Sequence, residues 1–522
     1  MSDPMTIAKR FQALDTDRQT ALARKREHAR MTMPTLLPPA GHTVHTLLDV
    51  PYSSVPAEGA SSLASRITSM VWPTTGQAVF EAELTQAFDP GGRDDTELSA
   101  SFQRFEQLVM SVLAPTNLRA TTFLSYQHEV VVGDSLMHMD DDFHFRMFRA
   151  DQFVVRRKHE GDWQEILLVE AVLPEWEPEL ALPNSGPGPV QAPKYTSFPS
   201  SPQGEKWEYL YTAITKDPKT GEVTVVQEHR DREVGRKQFK TSPYFPGRWG
   251  AIAGEPYGIS LVESIFGDIR ALSMLSKSLY DLSALVSEHR WGVNTAGITE
   301  LQDMLDSVNG GAVPAAPGDI FPLQFASSQA LSALFATVQH REQLVGRRFL
   351  MNSAVQPTGE RVTARQVSIL AQELEGMLGG VLSIAARDKQ EPVIKRVISV
   401  MADKDMIPSE IRDQILDPAG FVKLRIRAGL EILNREVERE KLDSMVVNMR
   451  NLPPEAFEGV IWPAVMRDWW QSQGMETKGR IMSEEELAQK RQAEQQQAMQ
   501  AQAQQAALGA AQARASQPPP AE

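Results

Sequence analysis

The chain has 522 residues, 42% of them hydrophobic, which is enough apolar material for roughly two to four packed domains and excludes a disordered polymer. Its 53 Lys and Arg against 67 Asp and Glu leave a formal charge of −14, which argues against a surface built for strong, static binding to nucleic acid. Cysteine is absent, so disulfides, thiol nucleophiles and thiolate metal sites are excluded together, and assembly in a reducing cytoplasm fits.

No apolar run approaches the roughly 20 residues of a membrane span, and the polar start with Lys9, Arg10 and Asp15 lacks the hydrophobic stretch of a signal peptide. A soluble protein that is not exported through a signal peptide is expected, with no membrane partner. Helical patterns dominate the first 130 residues. Leu63, Ile67 and Met70 form an apolar stripe ended by Trp72-Pro73, and Leu98, Phe102, Phe105, Val109 and Val112 form a second ended by Pro115. From Val130 the period changes. Strands are predicted on both sides of Asp140-Asp141-Asp142, with another over 166–173.

Residues 174–206 are rich in Pro, Gly and Ser and read as a loop or boundary. Two alternating strands follow, EYLYTAIT and EVTVVQE, separated by the hairpin signal Lys216 to Gly221. After a break at Gly254-Glu255-Pro256-Tyr257-Gly258, Val262, Ile265, Phe266, Ile269, Leu272, Leu279, Leu282 and Val286 keep helical spacing for about 28 residues, a rod of roughly 40 Å. Short strands around GVNTAGI and DIFPLQF and a helix from about Ser328 to Phe349 come next.

The most informative stretch is 350–380, LMNSAVQPTGERVTARQVSILAQELEGMLGG. Gln356-Pro357-Thr358-Gly359 cannot continue a helix and has the composition of an exposed loop. Thr363 then stands three residues before Gln366, a capping-box spacing, and Val367, Leu370, Leu374, Met377, Leu378 and Val381 grease one helix face. Gly376, Gly379 and Gly380 interrupt that helix and predict a kink or a close backbone approach. Beyond 400 the pattern is helical again up to Pro453-Pro454. From Ser483, which forms another capping box with Glu486, the chain is almost wholly Gln, Ala, Glu and Met, and is expected to be disordered or partly helical. No internal repeat of 20 to 50 residues is present.

SAVQPTGERVTA followed by ELEGMLGGVLSI closely resembles the head-to-tail connector, or portal, proteins of short-tailed, podovirus-type bacteriophages. The likeness extends to LASRITSMVWPTTGQ (63–77), GEPYGISLVESIFGDIRAL (254–272), NTAGIT (294–299) and AGLEIL (428–433), in one order over some 400 residues. The resemblance implies an α+β portal fold with a mainly helical wing and crown, a long stem helix and a small strand-rich clip. On it the chain divides into an N-terminal wing at 1–195, a clip at 196–253, a stem helix at 254–290 and wing strands and helix at 291–350. A tunnel loop at 351–364, a kinked wing helix at 365–400, a crown at 401–482 and the Gln/Ala-rich tail at 483–522 complete it.

What the resemblance further implies is a dodecameric ring at one capsid vertex of the virion, assembled in the host cytoplasm, acting as conduit and valve for double-stranded DNA in packaging and ejection. The implied partners are the terminase large subunit, then tail adaptor and nozzle proteins, with scaffold, major capsid protein and internal core proteins. On the same ground Ser353, Gln356, Thr358, Gly359, Glu360, Arg361 and Arg365 are the candidate DNA-channel residues. An acidic wall repeated around a ring would repel phosphates, while a few loop cations touched them without regard to sequence. Arg341, Arg347, Arg348, Arg361 and Arg365 are equally placed to pair with Glu342, Glu360 or Glu373 instead.

No catalytic constellation is present: there is no G-x-x-x-x-G-K-[ST] loop and no G-x-G-x-x-G after a strand, so no enzyme activity and no cofactor are expected. Gly133-Asp134-Ser135 begins like a nucleophile elbow, but Met137 stands where the second glycine belongs. His138 to His144, with three acids between, resembles a metal site in composition and a solvated hairpin turn in context; the turn is the expectation. Two other function classes stay open: a different phage structural protein such as a tail adaptor, and a cytoplasmic α+β metalloenzyme built on those acids.

Overall fold

The computed structural model describes residues 5–42, 46–73, 79–84, 95–172, 207–252, 254–287, 290–308, 311–323, 328–351, 380–408 and 422–426. All belong to one compact unit, Met1–Arg361 with Gln372–Gly429; a second unit, Val362–Ala371 with Leu430–Glu522, lies outside the described residues, as do the expected crown beyond 430 and the tail. The described unit combines helices and sheets, as the α+β expectation requires.

A five-stranded antiparallel sheet organises the first half, in the order β4 (Phe153–Arg157), β5 (Trp163–Val172), β6 (Glu208–Lys216), β7 (Val223–His229), β8 (Arg232–Phe239). Alternation along β5 divides the core. Ile166 and Leu168 face one cluster with Leu136, Phe148, Phe153, Ile214 and Tyr244, whereas Leu167 and Val169 face another with Ile7, Phe11 and Tyr211. The second cluster is closed by α1 (Ile7–Asp17), whose first turn is held by Glu228 of β7: its carboxylate accepts from Ile7 N at 2.8 Å and Ala8 N at 3.0 Å. Edge strand β8 carries Arg232, Glu233, Arg236 and Lys237 and is largely exposed, the charge pattern that discourages edge-to-edge pairing.

The sequence reading separates a wing ending at 195 from a clip beginning at 196. The sheet spans that division: β6, β7 and β8 continue the ladder begun by β4 and β5, with Glu165 to Val172 registered against Thr215 to Glu208. Local strand signals are blind to such a pairing across residues 173–206.

A smaller sheet runs β3 (Phe145–Phe148), β2 (Asp134–Met139), β9 (Tyr244–Arg248). It packs against α5 (Leu118–Val131), which lies on α3 (Val55–Val71). α3 buries Leu63 and Ile67, as the stripe predicts. Helices α2 (Gln19–Arg30) and α4 (Asp95–Leu113) complete this part, and β1 (Phe80–Leu84) pairs antiparallel with β12 (Val422–Ile426).

The rod expected after Gly258 is two helices. Ser260 caps α6 (Leu261–Ser264) by accepting from Glu263 N at 2.9 Å, then Ile265 leaves helical geometry before α7 (Phe266–Ser287). Apolar spacing runs through the break because Val262, Ile265 and Ile269 are all buried on one side. Beyond α7 come β10 (Arg290–Val293), α8 (Leu301–Asp306), β11 (Ile320–Leu323) and α9 (Ser328–Arg348). The β10 and β11 ladder at one end, and an ion pair between Arg341 of α9 and Asp268 of α7 at the other, set the two long helices antiparallel. The break at Gly254 to Gly258 is anchored: Gly258 N donates to Asp134 Oδ1 at 2.8 Å, and Lys25, itself paired with Asp134, donates to Gly258 O at 3.2 Å.

Candidate functional site

Of the residues singled out by sequence, Ser353, Gln356, Thr358, Gly359, Glu360, Arg361, Arg365, Gly376 and Gly379 lie outside the described residues. Gly380 is described: it is helical and exposed, with open space where a Cβ would stand. The structure defines how the chain leaves for that segment and how it returns.

The departure is fixed at the end of α9. Val345 and Phe349 are fully buried, and Phe349 fills the notch left by Gly59 of α3, where a Cβ would come within 2.6 Å of the ring. Leu350 adopts a φ of 60°, which turns the chain, and its carbonyl accepts from Arg66 of α3 at 2.8 Å. Arg347 and Arg348 are exposed at this exit, while Arg341 pairs with Asp268 and not with Glu342.

The return passes through a helix whose winding changes. Residues 380–385 are α-helical, Ala386–Gln390 form a π-helical turn, and α10 (Glu391–Asp403) follows. Lys389 in that turn is buried. Its ammonium donates to Glu129 Oε1 and to Ser125 Oγ, each at 2.6 Å, and lies 3.9 Å from the centre of the Tyr126 ring. Ser135 Oγ donates to the same Glu129 oxygen at 2.6 Å. Gly247 of β9 closes the pocket: a Cβ there would meet the Glu129 carboxylate and stand 2.6 Å from Lys389 Cε. The next residue, Gln390, donates to the Val71 carbonyl of α3 at 2.7 Å.

Burial pushes the Glu129 carboxyl up and the Lys389 ammonium down, each towards its neutral form. The direct contact opposes both shifts and the Ser135 hydroxyl opposes that of Glu129, so the pocket holds a charge pair whose partners depend on each other. Burial also drives His128 down to about 3, with Arg149 and Lys389 adding to the effect. α3 thus anchors the chain before residue 352, and α3 with α5 anchors it again at 389–390.

Sequence reasoning missed this pocket, though a signal was there. Leu382, Ala385, Val393 and Val397 make an apolar helix face, and Lys389 with Gln390 interrupts it where apolar residues belong. Two polar residues in a buried stripe predict a buried polar partner, whose identity comes from elsewhere in the chain.

The acids between His138 and His144 form the expected hairpin turn. Asp140 Oδ1 accepts from Asp142 N at 3.0 Å and His144 N at 2.8 Å, and Phe143 takes a φ of 62°. Asp141 holds Lys237 at 2.7 Å and Arg396 at 2.5 Å, and Asp142 holds Lys404 at 2.9 Å, so the turn clamps three cations. Burial lowers His138 to about 4. Ser135 is fully buried in the Lys389 pocket and presents no nucleophile.

A contrasting surface lies on the far part of the two long helices. Met274, Tyr280 and Leu285 of α7, Trp291 of β10, Phe321 of β11 and Phe335 of α9 are all exposed. Ile298, Leu301, Leu305 and Val308 between the strands are 61–79% exposed. Large apolar side chains concentrated this densely mark a surface meant to be covered.

The model of the family described as bacteriophage head to tail connecting protein matches residues 5–481. The portal protein of Escherichia phage T7 is 27% identical over 498 residues, covering 92% of this chain and 89% of its own length. That of Enterobacteria phage T3 is 26% identical over 91% and 88%. That of Pseudomonas phage phiKMV is 27% identical over 88% and 89%. Among solved structures, a chain in the virion of a native gene transfer agent particle aligns at a TM-score of 0.35 and 11% identity, covering 77% of this chain and 88% of its own. That score is too low to bear on the fold.

Proposed function

The chain belongs to the bacteriophage head to tail connecting protein family, and from that premise we propose that it is a portal: copies close into a ring at one capsid vertex, and double-stranded DNA passes through the hole. The observation that carries the reading is the row of uncovered apolar side chains on α7, α9 and the strands between them. Among the described residues they stay largely exposed: Tyr280 meets only the ring of Tyr52, itself exposed, and Phe321 lies over Gly292. Side-by-side copies would bury them against each other, as obligate ring interfaces do.

In this reading α7 and α9 are the stem, and the stretch between them, 288–327, is the clip, in place of 196–253. At 22 residues α7 spans about 33 Å, a length suited to a channel wall. Residues 351–364 are then the channel loop, with Arg361 and the following Arg365 as weak, sequence-independent phosphate contacts. Twelve copies are the number the family resemblance implies. The terminase large subunit and then the tail adaptor and nozzle proteins dock on the clip end, scaffold and major capsid protein on the wing.

Electron microscopy of the purified full-length protein tests the reading. Rings with an axial channel lined by α7 are the expected result. Compact single particles, or a channel lined by the five-stranded sheet, overturn it. Deleting 353–362 is expected to leave rings intact and particles that leak DNA; loss of rings on that deletion would remove the loop from the channel.

A further inference from the structure

We propose that the π-helical turn Ala386–Gln390 is a register latch. Lys389, seated among Glu129, Ser125 and Tyr126, keeps one extra residue wound into the helix, and its release lets the turn become α-helical. A π turn within an α-helix carries one residue more than the α winding needs, and such turns are frequent at functional sites. Each residue of an α-helix advances about 1.5 Å and 100°. Conversion therefore rotates everything N-terminal to the turn by about 100° and shifts it about 1.5 Å, while α10 stays in place.

The structure supplies a holder for each part. Downstream, α10 buries Val393, Ile394, Val397, Val400 and Met401, and Arg396 is held by Asp141, so this side is fixed. Within the turn, Lys389 is bound on α5 and Gln390 on α3, at two different elements. Upstream, Gly380 and Ser383 are exposed while Leu382 and Ala385 are buried, so rotation exchanges these two for other side chains of the same turn, Val381 and Ile384 being half-buried already. An interior ion pair is a poor source of net stability but a good selector of one arrangement over another. The segment set by the latch, 380–385, is where the chain returns from 352–379, which ties the latch to the proposed channel reading.

The cysteine-free chain allows the test directly. Spin labels are placed on Ser69→Cys of α3, paired in one protein with Gly380→Cys and in another with Lys395→Cys, all three being exposed sites. Labelled chains are diluted into unlabelled ones so that only distances within a chain are read. The double variant Lys389→Met, Glu129→Gln removes the anchor without stranding a buried charge. The expected result is a shift of the 69 to 380 distance, roughly 3 Å at the backbone and more at the label, with the 69 to 395 distance unchanged. A folded double variant with both distances unchanged overturns the latch.

Deleting Arg387, which is exposed and pairs with its neighbour Asp388, removes the extra residue itself. It should leave both distances at their original values and make the 69 to 380 distance insensitive to the double variant. If the double variant does not fold, the deletion decides alone: an unfolded deletion protein, or one with a shifted 69 to 380 distance, overturns the proposal. Because each label pair sits in one chain, the outcome stands whether or not rings form, and absence of rings sinks the proposed function alone.

Discussion

α5 and the far part of α7 show opposite solutions to burial. From Ser125 to Val132 nearly every residue of α5 is buried, including Glu129, and the chain itself provides the Lys389, Ser135 and Gly247 that make this tolerable. α7 begins the same way, with Ile269, Leu272, Ser273 and Ser276 buried, and then leaves Met274, Tyr280 and Leu285 uncovered. One region is complete within a single chain. The other leaves large apolar side chains exposed, and in the proposed ring a second copy would cover them, so the same apolar composition would stabilise the fold in one place and association in the other.

The comparison is sharpened by substitutions ranked by their effect on one chain. Lys389→Ala strands Glu129 in the interior and is expected to cost about 3–5 kcal/mol in chemical denaturation; a loss below about 1 kcal/mol would mean the pocket admits water. Phe349→Ala empties the notch at Gly59 and should cost a similar 3–5 kcal/mol, with the exit of α9 loosened in hydrogen exchange. Acid comes next. His128 stays neutral in the fold down to about pH 3 but takes a proton near 6.5 when unfolded, so the unfolded chain binds more protons between those values. Stability is therefore full above about pH 6.5 and falls by roughly 4 kcal/mol on the way to pH 3; His128→Asn should flatten that slope.

Gly247→Ala forces a Cβ towards Glu129 and Lys389, and about 1–3 kcal/mol should be lost through overpacking. At the small end, Asp268→Asn breaks only the half-exposed pair with Arg341, and urea titration should show about 0–1 kcal/mol. Tyr280→Ser with Leu285→Ser is expected to leave single-chain stability unchanged within about 0.5 kcal/mol while abolishing rings by native mass measurement. Intact rings in that variant would show that the uncovered face of α7 is not where copies meet.

Much of the fold was legible locally. The α3 stripe at Leu63 and Ile67, the β2 and β3 hairpin around Asp140 to Asp142 and the strands at 208–216 and 223–229 follow from periodicity and turn chemistry, because each is decided by neighbours a few residues away. The break at Ile265 did not show, since buried apolar residues continue through it. The place of β6 to β8 did not show either, because their pairing with β5 spans residues 173–206 and local pattern carries no information on which strands meet.

The candidate site divides in the same way. Polarity, Gly359 and the capping box made 352–379 conspicuous, and Lys389 beside Gln390 signalled a polar break in a buried helix. That both flanks of that segment rest on α3 and α5 was decided by tertiary structure. Glu129 lies 260 residues from Lys389, and a charge pair in the interior exists only where folding brings its two members to 2.6 Å and removes water from both. Sequence determined which segments are helix, strand and turn, since backbone preference and side-chain period act over one or two turns. Which carboxylate meets which ammonium, and which apolar faces remain exposed, depends on contacts between distant parts of the chain.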